Sequence, residues 1–212
     1  MNHKVINSAI VALVWLSTSN LAPAGTGSNL DDVSIRMSLG IAPGIDEVDD
    51  SSGSYDANDD GGSRLEILGV QRFWSKNNPN IGGSFGGGIF FGDHALEEND
   101  FEVDLTTFGA MIQGGVIVKA GEGFVLEFGP YLGFGIADNE TTGFSDGTGP
   151  YALFGVKGGA FILLNENIEL GVDLGYEGFS HKQEYEDRFG RDEDVTYNGS
   201  GAHVALVLAV NF

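Results

Sequence analysis

The chain has 212 residues, 31 acidic against 10 basic, a formal charge of −21, 34 glycines, 15 phenylalanines and no cysteine. So few Lys and Arg exclude a nucleic-acid surface, which needs clustered cations against phosphate, and the lack of cysteine excludes a disulfide framework, a thiolate metal site and a lipobox cysteine. Glycine at this density disfavours helices, where each interior glycine costs about 1 kcal/mol relative to alanine, and suits strands packed closely in a narrow space.

The opening MNHKVINSAIVALVWLSTSNLAPAG has a start carrying Lys4, an apolar run from Ala9 to Leu16 and an Ala22-Pro23-Ala24 cleavage pattern. This predicts a signal peptide over 1–24, with a single β-domain over 25–212. The apolar run is shorter than the ~20 residues of a membrane-spanning helix, and no later stretch supplies one.

Alternation then dominates the chain, and a period of two is the mark of a strand with one apolar face. Val33, Ile35, Met37, Leu39 and Ile41 oppose Ser34, Arg36, Ser38 and Gly40. After an acidic stretch, Leu65, Ile67 and Phe73 oppose Glu66 and Arg72, with Gln71 on the apolar side. Ile81, Phe85, Ile89 and Phe91 oppose Gly82, Ser84, Gly86 and Gly88. In 102–121 the phase changes, from Val103 and Leu105 to Phe108, Ala110, Ile112, Val116 and Val118. A bulge near Thr106 or Thr107 is the expectation there.

Phe124, Leu126, Phe128, Leu132, Phe134 and Ile136 oppose Glu127, Gly129, Tyr131 and Gly133, and Pro130 predicts a second bulge. Phe154, Val156, Ala160 and Ile162 oppose Lys157; Ile168, Leu170, Val172, Leu174 and Tyr176 oppose Glu169, Asp173 and Glu177. The last segment sets Val204, Leu206, Leu208, Val210 and Phe212 against Ala205, Val207 and Ala209.

Eight such segments, joined alternately by short turns (75–80, 119–123, 165–167) and longer polar stretches (44–62, 93–101, 138–150, 180–197), predict an all-β fold. Its form is an eight-stranded antiparallel up-and-down transmembrane β-barrel. A soluble sandwich or lipocalin-like barrel shares the strand pattern, but it needs a charge-rich outer face, whereas the non-apolar face here is mostly Gly, Ser and Ala. The few charges on that face, Arg36, Glu66, Arg72, Glu127, Lys157, Asp173, Glu177 and with them His203, are read as a paired lumen network, since an isolated buried charge costs several kcal/mol. Phe73, Trp74, Phe90, Phe91, Phe124 and Phe179 near strand ends are read as interface girdles.

Leu164 to Phe179, LNENIELGVDLGYEGF, resembles the Asn-Ile/Leu-x-Leu-x-x-x-x-x-Tyr hairpin of the small outer-membrane barrels of the OmpA/OmpX/opacity-type superfamily, and the Asn211-Phe212 ending is similar to theirs. The resemblance implies residence in a Gram-negative outer membrane and contact with its lipid and lipopolysaccharide. It also implies recognition of the alternate face ending in Phe212 by the barrel assembly machinery, a monomer, and a chain without the peptidoglycan-binding domain some relatives carry. A structural or surface-interaction role follows, with no enzymatic activity.

Three chemistries remain beside that role. Asp56, Asn58 and Asp60, with Gly61, match the first half of a calcium loop, but Glu66 stands at position eleven rather than twelve; the looser expectation is that the first-loop acids share divalent cations with lipopolysaccharide phosphates, and no other cofactor is expected. A lipid A deacylase-like hydrolase would draw on His94, His181 or His203, yet Gln183 and Ala205 break the His-x-Ser spacing, and the two G-x-S-x-G matches at Ser84 and Ser145 lack a strand-to-helix turn. A narrow channel for small solutes meets an interior that eight strands leave just wide enough for side chains.

Overall fold

The computed structural model describes residues 31–50, 53–57, 59–98, 101–141, 147–186 and 192–212; the expected signal peptide, Asn58 and Ser145 lie outside them. The strands are β1 (Asp31–Ala42), β2 (Glu47–Asp50), β3 (Gly53–Asp56), β4 (Asp59–Trp74), β5 (Ile81–Glu98), β6 (Phe101–Gly121), β7 (Phe124–Thr141), β8 (Gly147–Leu163), β9 (Ile168–Glu186) and β10 (Asp192–Asn211). Every pairing is antiparallel, and β10 closes on β1 from Ser34↔Asn211 to Ile41↔Val204. The ring therefore contains eight strands, β1-β4-β5-β6-β7-β8-β9-β10. The hairpin β2–β3 adds to the part of β10 that rises above the end of β1.

Alternation places the apolar faces on the outside. Phe134 and Leu206 are each 66% exposed, and Leu39 and Phe128 each 63%. On β7 the outward apolar row runs from Phe124 to Ile136, which at ~3.3 Å per residue and a tilt near 45° covers about 25–30 Å, the height of a lipid-facing band. At the edge where the chain ends, Lys119 Nζ lies 4.0 Å from the centre of the Trp74 ring, an arrangement suited to the headgroup level.

Above this band the pattern inverts. Outward positions become Asp93, Asp104, Thr106, Glu140, Lys182 and Glu184, while Val103, Leu105, Leu96 and Ala137 are buried inside. The barrel thus continues past the membrane as a conventional polar-out, apolar-in cylinder. This corrects the expectation of loops at 93–101, 138–150 and 180–197, which are mostly strand: β5 and β6 pair as far as Glu98↔Phe101, and β9 and β10 as far as Glu186↔Asp192.

The same inversion removes the bulge expected at Thr106 or Thr107. The β5–β6 and β6–β7 registers are continuous through both residues. Val103 and Phe108 point to opposite faces because the surroundings change there, not the backbone. Pro130 produces no register shift either: it pairs with Val156 on one side and, on the other, the ladder resumes in the same register across Gly114 and Gly115. Irregularities occur instead between Asp59 and Gly62 and between Lys119 and Gly121. Two expected girdle residues are also misplaced, since Phe90 and Phe179 are 0% and 3% exposed and face the interior; each is one position out of phase with an outward neighbour, Phe91 and Ser180.

Phe134→Arg, at the middle of the band, lowers the stability of the barrel folded in lipid vesicles by about 2–4 kcal/mol, measured by urea unfolding. Asp104→Arg, on the outward face above the band, causes no such loss.

Candidate functional site

The lumen is filled by tiers of paired charge beneath an aromatic and aliphatic plug. In the lowest tier, nearest the short turns, Arg72 Nη1 donates to Glu169 Oε1 at 2.7 Å, and Asn211 Nδ2 donates to the same oxygen at 3.1 Å. One step higher, Arg36 Nη2 donates to Glu127 Oε2 at 2.8 Å and Ser84 Oγ to Glu127 Oε1 at 2.7 Å. Both guanidiniums lie over the Phe161 ring, 4.8 Å and 5.3 Å from its centre, so one buried aromatic face supports two cations.

The middle tier centres on Lys157, whose ammonium reaches Glu66 at 3.2 Å and Asp173 at 3.3 Å; Ser38 Oγ also donates to Glu66. The upper tier is built on Arg64. Its Nε donates to Glu66 Oε1 at 2.9 Å, and its Nη1 and Nη2 grip Glu177 with two bonds of 2.6 Å. The Tyr131 hydroxyl donates to Glu177 as well, and His203 Nδ1 lies 2.9 Å from Arg64 Nη2. Such a fork-to-carboxylate pair is the strongest of the charge-assisted geometries. It is out of water, with Arg64 2% and Glu177 0% exposed.

Glycines make room for these groups. A Cβ on Gly155 would come within 2.6 Å of the Tyr131 ring, and one on Gly109 within 2.5 Å of Phe90. A void among the charges, bounded by Arg36, Gln113, Glu127, Lys157 and Asp173, has a volume of about 10 Å³, space for at most one water.

Above the charges, His94 Nδ1 lies 2.7 Å from the carbonyl of Pro43 and Nε2 2.8 Å from the Tyr151 hydroxyl. Its ring stacks 3.9 Å from that of Phe179. Chain leaving β1 is drawn into the mouth here: Ile45 is fully buried, and its N–H bonds to the carbonyl of Ala95. Each of the seven expected lumen residues, Arg36, Glu66, Arg72, Glu127, Lys157, Asp173 and Glu177, therefore sits in the interior with an opposite charge, and His203 beside them. The reading of sequence put Glu169 and Tyr131 on the inward face without joining them to the network, named His94 only as a candidate base, and missed Arg64. Arg64 shares the parity of Glu66, and Glu169 that of Asp173, which is the signal that identifies both.

The expected C-terminal face is equally plain: Val204, Leu206, Leu208, Val210 and Phe212 are all outward and exposed, while Ala205, Val207 and Ala209 are buried. Asp56 ends the exposed strand β3, Asp60 lies in β4, Asn58 is outside the described residues, and Glu66 is bound to Arg64 and Lys157. No cluster of three or more His, Cys, Asp or Glu side chains suited to a metal occurs among the described residues. Other first-loop acids are engaged locally: Asp46 accepts from Ser200, Asp49 from Asn198, and Glu47 from Ser54.

A partial collar of carboxylates on β5, β6, β7, β9 and β10 stands just above the apolar band. Asp93 and Asp138 flank Thr106 in one outward row, and Asp104 faces Glu140 directly in the next. Glu184 likewise faces Asp194, whose neighbour Lys182 reaches it at 2.7 Å. Like charges directly opposed across strands repel, so the collar attracts cations.

No protein-family model matches the chain, and no curated protein matches it. Among solved structures it is similar to a major outer membrane protein of Thermus thermophilus, at 15% identity over 86% of this chain and 99% of that one, with a TM-score of 0.49. It is also similar to the attachment invasion locus protein Ail of Yersinia pestis (16% identity, 86% and 100% covered, TM-score 0.43). A third likeness is to the outer membrane protein OprG of Pseudomonas aeruginosa (13%, 88% and 98%, 0.42). At these identities the likeness concerns architecture alone.

Arg64→Ala leaves Glu177 buried without its cation and costs about 3–5 kcal/mol by urea unfolding in vesicles. Lys182→Ala, which removes one end of the exposed pair with Asp194, leaves the unfolding midpoint where it is.

Proposed function

We propose that this protein is a monomeric outer-membrane barrel of a Gram-negative envelope that acts from its outer rim, as a structural or surface-interacting element, and neither conducts solutes nor catalyses a reaction. The observation carrying this reading is the filled lumen: among the described residues, buried and paired charges from Arg72 up to Arg64 lie beneath the Tyr151–Phe179 stack, and the void bounded by Arg36, Glu127, Lys157 and Asp173 measures only about 10 Å³. Tiers of this kind serve to seal a barrel whose surroundings offer no water.

The hydrolase alternative draws little support. His94, His181 and His203 all face the interior and are at most 1% exposed, whereas lipid substrate lies outside; Ser84 is bonded to Glu127 within the lumen. The collar supports the divalent-cation reading better than the calcium half-motif does. Asp104 and Glu140, at the level where lipopolysaccharide phosphates lie, relieve their mutual repulsion by sharing bridging cations with those phosphates. Recognition of the β10 face by the assembly machinery and export by the leading segment belong to the same reading.

Two measurements test it. In planar bilayers the refolded barrel gives no steady conductance steps; sustained large steps would remove the sealed-lumen reading. In vesicles containing lipopolysaccharide, the double variant Asp104→Asn/Glu140→Gln unfolds at higher urea than the parent in EDTA, and millimolar Mg²⁺ abolishes that difference. Identical Mg²⁺ responses of parent and variant would refute the role of the collar.

A further inference from the structure

A hollow opens on the outer wall of the barrel where the apolar band meets the collar. Phe91, Phe108 and Ile136, cross-strand neighbours in one outward row, form its floor, and Thr106 and Asp138, in the next row toward water, form its rim; Gly92 and Thr107 complete the wall. The Phe91 and Phe108 rings are 4.8 Å apart at their centres. The hollow has a volume of about 160 Å³. A dry apolar cavity of about 150 Å³ takes one benzene-sized group, so this space accepts a short length of hydrocarbon chain.

Its polar end is strictly one-signed. Asp138 Oδ1 accepts from the Thr148 hydroxyl at 2.6 Å, and Asp93, held by Ser63 at 2.6 Å, stands in the same outward row beyond Thr106. Asp104 and Glu140 occupy the row above. No cation lies among these outward positions of β5, β6 and β7, from Asp93 to Glu140. A headgroup that is anionic alone meets repulsion at this rim, whereas an ammonium meets a carboxylate at the height of its own hydrocarbon tail.

We infer that the hollow is a docking site for a lipid amphiphile of the outer leaflet bearing an amine headgroup: its chain lies on Phe91, Phe108 and Ile136 while the ammonium pairs with Asp138. This goes beyond the collar reading, because it requires an apolar tail together with a positive head and holds whether or not the collar shares divalent cations with lipopolysaccharide.

The test uses the full mature barrel in nanodiscs, with backbone amides and the Ile136 methyl group observed by NMR. Dodecylamine, dodecanol and dodecyl phosphate with Mg²⁺ serve as probes. Dodecylamine is expected to shift the signals of Thr106 to Phe108 and Ile136 to Asp138 saturably, with dodecanol and dodecyl phosphate each about two- to fivefold weaker. Asp138→Asn removes the preference for the amine over the alcohol, and Thr106→Trp, which fills the hollow from its exposed rim, abolishes the shifts of all three probes. Retained heat-modifiable migration on gels confirms that both variants fold. Equal binding of the amine, alcohol and phosphate probes to the parent, an amine preference that survives Asp138→Asn, or shifts spread evenly around the apolar band would overturn the assignment.

Discussion

Everything in this barrel depends on burying charge that has nowhere to go. Eight strands close around a space only side chains can fill, and lipid outside denies any inward group an escape to water. Arg64 and Glu177 meet that condition by a two-bond fork, with Tyr131 and His203 around it. Four inward cations, Arg36, Arg64, Arg72 and Lys157, are interleaved with five carboxylates, so that no tier holds one sign alone. Desolvation makes such networks poor sources of net stability but makes any partial version of them costly. The lumen is consequently an all-or-none object, and its filling is what argues against transport.

The second constraint is vertical. Within the membrane the barrel is apolar outside and polar inside, and above it the order reverses, with Leu96, Val103, Leu105, Tyr151 and Tyr197 packed inside and carboxylates outside. The reversal comes without a break in register. It creates the boundary at which the plug, the collar and the outer hollow all lie, and it draws Ile45 into the mouth to complete the upper core. Strand pairing extends above the membrane because the inward apolar side chains there have a core of their own to join.

That reversal also explains what the sequence made legible. The eight strands, their closure, the outward faces and seven lumen charges follow from a period of two, because inside the membrane one parity must be apolar and the other must be small or paired. Phe108 to Val118 and Phe124 to Ile136 keep an uncharged outward row from end to end, although Met111 and Ile117 are apolar residues on the inward parity. Val103 and Leu105 break it, and a one-environment reading converts the break into a bulge; Phe90 and Phe179 are likewise assigned to the surface because aromatics near strand ends have two destinations that composition cannot separate. Arg64 was hidden by its position just after the acidic stretch Asp59 to Ser63, where a strand start is hard to distinguish from a loop. The partner of each charge was unreadable for a different reason: Arg64 and Glu177 are separated by 113 residues, and only the stagger of the closed ring brings them to one height.

The most direct test of this account is a spin-label accessibility profile, for which the cysteine-free chain is well suited. Single cysteines replacing Phe134, Leu206, Asp104 and Glu184 are labelled and the barrel is refolded into vesicles. The account predicts that labels at 134 and 206 collide with dissolved oxygen and are shielded from a water-soluble nickel chelate, while those at 104 and 184 show the opposite preference. Nickel-accessible labels at 134 and 206 in a folded barrel would contradict it.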